Sequence, residues 1–305
     1  MQVFTRKAGI LCGIDEAIAI IRLASDRPSD LLIHALHDGD RLDADETVML
    51  IEGDYATFAH PETVYLGVLA RGSSIATNVR RVVDAAGDKP VLFFSARFDH
   101  YAVQEADGYA AFIGGAAAVS TDANASWVPG QHGSGTIPHG LIAAYRGDTV
   151  AAAVAFDLHV DPAVPRIVLV DFNNDCVADS LAAARALGDR LWGVRLDTAS
   201  KLRDASVRGT GPDSCGVCAE LVWNVRRALD AEGFHHVKIV ISGGFNAERV
   251  ARFRQLGVPF DAVGVGSAFY RDRMEFTADV VMVDGRPCAK VGRQYRPNAR
   301  LHRVD

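Results

Sequence analysis

Residues 237–269 read VKIVISGGFNAERVARFRQLGVPFDAVGVGSAF. Two short runs rich in branched apolar residues, VKIVISGG (237–244) and AVGVGSAF (262–269), enclose a segment with helical spacing, NAERVARFRQLG (246–257). Near-continuous apolar strands are buried on both faces of a sheet. A strand, a helix and a second strand in sequence predict parallel pairing through a right-handed crossover. The same rhythm runs upstream. RIVLVDF (166–172) and WGVRLD (192–197) read as strands, with ADSLAAARALGD (178–189) and CAELVWNVRRALDAEG (218–233) as the helices that follow them. Such a βαβαβαβ series predicts an open parallel sheet or an α/β barrel.

Further outward the pattern alternates less regularly. Residues 13–25, GIDEAIAIIRLAS, predict a helix with acidic residues in its first turn. ETVMLIEG (46–53) predicts a strand closed by glycine, and residues 62–86 carry apolar positions at helical spacing, interrupted at Gly72. VLFFSA (91–96) follows a turn and predicts another strand. FTADVVMVDGRPCAKVGRQY (276–295) predicts a hairpin around Asp284-Gly285. The expected organisation is an N-terminal α/β domain over residues 1–104, with 275–305 packing back on it, and a catalytic incomplete barrel over 105–274.

Composition narrows the function classes. The chain has 305 residues, 49% of them hydrophobic and 23% charged, with a formal net charge of −6. That is a globular profile without the basic excess of a nucleic-acid surface. No apolar run reaches membrane-spanning length, so no membrane partner is expected. MQVFTRKAGILCGIDEA lacks the apolar stretch and cleavage site of a signal peptide, which makes the cytoplasm the expected location. Five cysteines, with one CxxC at Cys215 and Cys218, do not form a disulfide framework, and no second ligand pair for zinc lies nearby.

The candidate chemistry sits where the predicted strands end. The first ends in Asp171, the second in Arg195 and Asp197, the third in Ser242-Gly243-Gly244, and the fourth in Gly264-Val265-Gly266-Ser267. These ends form the active face of α/β barrels. The two carboxylates, Asp171 and Asp197, suit a hydrated Mg²⁺. The two glycine-rich turns suit a phosphate, because backbone N–H groups approach its oxygens closely. Taken singly, each feature has a plainer reading, an Asp as helix cap or a glycine pair as a turn. Together, on one rim, they point to a phosphorylated, metal-associated ligand. Phe94 offers a flat face and Arg97 a planar fork, although core packing and a surface ion pair explain each locally. QHGSGTIPHG (131–140) puts His139 directly after a proline, at a junction rather than inside an element.

VLFFSARFDH, AAFIGGAAAVS, SGTIPHGLI, RIVLVDF, GVRLDT, VKIVISGGF and VGVGSAF, in this order, resemble a short prokaryotic nicotinate phosphoribosyltransferase of the type II phosphoribosyltransferase group. KAGILCGIDEA resembles that family's first domain, so the likeness spans residues 5–292. It implies transfer of phosphoribosyl from phosphoribosyl pyrophosphate (PRPP) to the ring nitrogen of nicotinate, giving nicotinate mononucleotide and pyrophosphate in NAD salvage. It implies coupling to ATP through a phosphorylated histidine, so that the enzyme is a pentosyltransferase or an ATP-dependent ligase. By position His139 is that histidine, and His139, Arg195 and Asp197 are the catalytic residues. Phe94 would stack on the pyridine and Arg97 would lie near PRPP. Asp171 and Asp197 would hold ribose hydroxyls or Mg²⁺, while Gly243, Gly244, Gly264, Gly266 and Ser267 would cradle the 5′-phosphate. A homodimer or larger even assembly is expected. Phe98 departs from the pattern, since close relatives often carry a second arginine there. Two alternatives stay open: quinolinate or another pyridine carboxylate as acceptor, and a non-catalytic regulator that binds PRPP or a nucleotide.

Overall fold

The computed structural model describes residues 1–209, 211 and 214–304. They divide into two units, one of residues 81–108 and 116–268, the other of 1–80, 109–115 and those from 269 onward.

The first unit is built on six strands: β1 (Val91–Phe93), β2 (Ala118–Val119), β3 (Arg166–Leu169), β4 (Leu191–Leu196), β5 (Lys238–Ile241) and β6 (Ala262–Val265). Their spatial order is β2-β1-β6-β5-β4-β3, and every pairing is parallel. Helices Cys176–Leu187, Ala219–Ala231 and Ala247–Gln255 fill the connections from β3 to β6. Their starts are set by local chemistry. The Asp175 carboxylate accepts from the Ala178 N–H at 3.1 Å, and the Asn246 side chain accepts from the Arg249 N–H at 2.9 Å. Each satisfies a donor that the helix leaves unpaired. Val168, Leu169, Val194, Leu196, Val240 and Val263 are fully buried, as strands covered on both faces require.

The outer strands β2 and β3 do not pair with each other. Residues 133–137 run between them. Gly133 forms a parallel bridge with Val119, the Ser134 N–H donates to the Val119 carbonyl at 2.7 Å, and the Ile137 N–H donates to the Ile167 carbonyl at 3.3 Å. A Cβ at Gly133 would lie 2.7 Å from the Thr121 carbonyl carbon, so only glycine allows this approach. The stretch QHGSGTIPHG is therefore the seam of the half-barrel, and it covers both sheet edges. Pro138 ends the seam and precedes the short helix His139–Ala144.

The sequence boundary at 104/105 differs from this division. It falls at the start of helix Gln104–Gly114, and β1 pairs with β6 and β2 inside the parallel sheet. The run VLFF is apolar on both faces, and nothing local tells which sheet receives it.

The second unit holds an antiparallel sheet in the order Phe276–Asp279, Gln2–Thr5, Thr47–Glu52, Leu32–Ala35, His302–Val304. Ile14, Ile18 and Ile21 of helix Ile14–Ala24 join the core of that sheet with Val3, Ile33 and Met49. Helix Glu62–Ala86 runs unbroken through Gly72. A Cβ there would stand 2.8 Å from the Cys12 carbonyl oxygen, so the glycine permits close packing instead of interrupting the helix. Strands Met282–Val283 and Arg286–Pro287 pair about Asp284 and Gly285, both left-handed at φ 50° and 74°. Among the described residues no helix is long and apolar enough to cross a membrane.

Candidate functional site

The C-terminal ends of the parallel strands surround a cavity of about 640 Å³. β4 contributes Arg195 and Asp197, β5 the turn Ser242-Gly243-Gly244, and β6 Gly264, Gly266 and Ser267. The loop after β1 adds Phe94, Arg97 and Phe98, and the seam adds Ser134 to Thr136 and His139. Asp171, the remaining sequence candidate, stands behind His139. Its Oδ1 is 2.9 Å from His139 Nε2, and its side chain is 8% exposed against 47% for the histidine.

Charge in this cluster is shaped by burial. Desolvation pushes the Asp171 carboxyl above the usual carboxylate range, His139 pulls it back, and Asp197 repels it further. Desolvation lowers the Arg195 pKa, opposed by Asp197 and Asp171 and reinforced by Arg97. A guanidinium nevertheless stays charged in proteins. Arg195 Cζ lies 5.5 Å from the Phe94 ring centroid, a cation on an aromatic face. Arg195 Nε is buried without a hydrogen-bond partner, and a bound anion would satisfy such a donor.

The two glycine groups do different work. Gly243 and Gly244 are both left-handed, at φ 87° and 76°, so the chain turns there without side chains. A Cβ at Gly243 would lie 3.3 Å from Asp197 Oδ1. Gly264 and Gly266 are not left-handed. A Cβ at Gly264 would enter the Phe94 ring, and one at Gly266 would enter the Phe98 ring. These two glycines make room for aromatic rings that face the cavity, a tertiary relation no local pattern announces.

Ser242 was not singled out alone by its sequence. Its Oγ donates to Asp197 Oδ1 at 2.8 Å and approaches the Leu196 carbonyl at 3.1 Å, which fixes the carboxylate. Its place as the last residue before the glycine pair is the signal that marks it. Lys201 and Arg203, basic residues of the loop after β4, do not line the cavity, and Arg203 Nε donates to Ser214 Oγ at 3.0 Å. His132 is exposed and likewise outside it.

Among the described residues no three His, Cys, Asp or Glu side chains converge as a metal site. Asp171 and Asp197 present hard oxygen donors, each with one oxygen already engaged. That donor set fits a magnesium ion brought in on a phosphate ligand and completed by waters, not an ion caged by protein alone.

Comparison with known proteins matches the same architecture. The N-terminal domain of quinolinate phosphoribosyl transferase matches residues 1–73, and the C-terminal domain of that family matches residues 75–275. A nicotinate phosphoribosyltransferase of Mycobacterium tuberculosis is 29% identical over 251 residues, 80% of this chain and 52% of that one. The nicotinate phosphoribosyltransferase of Bacillus subtilis is 26% identical over 237 residues, 77% of this chain and 44% of that one. The chain thus spans about half the length of the curated relatives it matches. The crystal structure of a nicotinate-nucleotide pyrophosphorylase from Pyrococcus furiosus aligns with a TM-score of 0.84 at 33% identity, over 99% of this chain and 76% of that one.

Proposed function

Because the chain belongs to the quinolinate phosphoribosyl transferase family, we propose that it transfers phosphoribosyl from PRPP to the ring nitrogen of nicotinate. The observation that carries this reading is the convergence, on one cavity, of Phe94 under the Arg195 guanidinium, the Asp197 carboxylate and the Gly243-Gly244 turn. The pyridine would lie against Phe94, and its carboxylate and the pyrophosphate would face Arg195 and Arg97. The bond from ribose C1 to pyrophosphate breaks, its electron pair leaving with pyrophosphate, and the ring nitrogen bonds to C1. Positive charge grows on the ribose as this happens; Asp197 on the cavity wall would oppose it, with the charge of Asp171 behind His139 adding to the field. Arg195 opposes the charge on the leaving group. Catalysis of this kind rests on positioning and fixed charge. A magnesium ion carried on PRPP, held by Asp171 and Asp197, would neutralise part of the pyrophosphate. The 5′-phosphate would sit at the Gly243-Gly244 turn. The assembly proposed is a homodimer or larger even oligomer, working in the cytoplasm.

Gly264 tests the acceptor slot. Gly264→Ala should displace the Phe94 ring and raise the KM for nicotinate at least about tenfold, with the KM for PRPP nearly unchanged. Steady-state kinetics with each substrate varied in turn would read this, and an unchanged nicotinate KM would remove Phe94 from the acceptor site.

ATP coupling through His139 is part of the proposal. With the Nε2–H donating to Asp171, the Nδ1 lone pair is left to accept the γ-phosphoryl group of ATP, ADP leaving. His139→Ala should abolish stimulation by ATP and keep basal transfer. Stimulation that persists in this variant would assign His139 to the loop alone.

Quinolinate is the second reading, favoured by the family whose domains match. Two ring carboxylates call for several basic groups together. Arg97 and Arg195 are the arginines lining the cavity among the described residues, and in this reading they would also serve PRPP, which favours the monocarboxylate. Offering both acids together and weighing the mononucleotide and carbon dioxide formed decides between them. Carbon dioxide release matching product would establish quinolinate.

A further inference from the structure

Arg249 does not line the cavity, yet it holds the turn that does. It lies in the first turn of helix Ala247–Gln255. Its Nη1 donates to the Gly243 carbonyl oxygen at 2.9 Å and its Nη2 to the Val217 carbonyl oxygen at 2.7 Å. Its Cζ stands 4.1 Å from the Phe245 ring centroid and 5.8 Å from that of Phe253. Nη1 would be 3.8 Å from a Cβ placed on Gly244. Burial lowers its pKa, opposed by Cys218, and among the described residues no carboxylate pairs with it.

A half-buried cation with carbonyl oxygens and aromatic faces as its partners is an expensive arrangement unless a counter-charge arrives. The turn it supports shows where that charge would sit. The Gly243 and Gly244 N–H groups donate to no backbone acceptor among the described residues. The Gly243 carbonyl, which would repel an anion, is tied back to the guanidinium. We infer that Arg249 is a positioning residue for the phosphate end of the cavity, aiming the Gly243-Gly244 turn and supplying the counter-charge of a phosphate bound there. The inference rests on the reading of the cavity as a PRPP site. Val217 lies between Cys215 and Cys218, so the same guanidinium also ties that loop to the turn.

Two variants separate charge from hydrogen bonding. Arg249→Gln keeps a donor for one carbonyl and loses the charge, and Arg249→Lys keeps the charge with one donor contact. With nicotinate and PRPP as substrates, Arg249→Gln should raise the PRPP KM about tenfold or more, because a nearby charge in a shielded setting acts strongly. Its kcat and nicotinate KM should stay within about threefold, and Arg249→Lys should keep the PRPP KM within about threefold of wild type. A scaffold residue would instead lower Tm in both and move every constant together. An unchanged PRPP KM in Arg249→Gln overturns the inference and leaves the functional reading standing. Arg249→Lys decides the matter if Arg249→Gln does not fold, since a tenfold rise in its PRPP KM also overturns it. A wild type that does not consume PRPP defeats the functional reading instead. Calorimetric titration with inorganic phosphate then judges Arg249: weaker binding by Arg249→Gln supports its role, and equal binding overturns it.

Discussion

Asp197→Ala should remove phosphoribosyl transfer and leave the fold in place. The carboxylate sits at the end of β4 and accepts a hydrogen bond from Ser242 Oγ at 2.8 Å. Burial lowers the Arg195 pKa and the Asp197 charge, two residues along the same strand end, opposes that shift. In the proposed reaction it stands beside the developing charge, where losing one fixed polar group typically costs about 10²–10³ in rate. The structural cost is small by comparison. Ser242 Oγ retains the Leu196 carbonyl at 3.1 Å as an acceptor, and the apolar strands beside it are untouched. The expected pair of results is a kcat lower by about 10²–10³ and a Tm within a few degrees of wild type. Activity that survives would mean the strand-end carboxylate has another purpose.

Arg195 should show the second large effect, graded by chemistry. Arg195→Met removes the cation and should lower kcat/KM by about 10³. Arg195→Lys restores a charge but not the flat fork that stacks on Phe94, and should recover only part of the loss. A pH profile separates charge from shape. Asp171 already sits above the ordinary carboxylate range because it is buried, and its charge acts on Arg195. Taking the cation away removes a charge that favours the ionised form of Asp171, so the Asp171 pKa rises further. The acid limb of kcat/KM in Arg195→Met should therefore move to higher pH, and in Arg195→Lys it should return toward wild type. A limb that stays put in both would uncouple Arg195 from Asp171.

What was legible in the sequence follows from locality. β3 to β6 announce themselves because each is apolar on both faces and helices separate each from the next. The Gly243-Gly244 turn is legible because only glycine takes two successive left-handed conformations readily. β2 was not, since two residues within GGAAAVS carry no strand signal. The seam at 133–137 carries no strand signal, because its glycines and serine suit the edges it meets and have no intrinsic strand preference. That placement also brings His139 to Asp171 across 32 residues of sequence. Gly264 and Gly266 were read as a phosphate cradle, and the structure sets the Phe94 and Phe98 rings against them. In the second unit, Gln2–Thr5 pairs with Phe276–Asp279 from the far end of the chain, a pairing no window of sequence contains.

The most direct test of the central claim is to mix the wild-type protein with PRPP, magnesium and nicotinate and to follow both products by mass spectrometry. The account predicts nicotinate mononucleotide and pyrophosphate in equal amounts, lost together in Asp197→Ala. PRPP left intact in the presence of nicotinate, quinolinate and nicotinamide alike would contradict it.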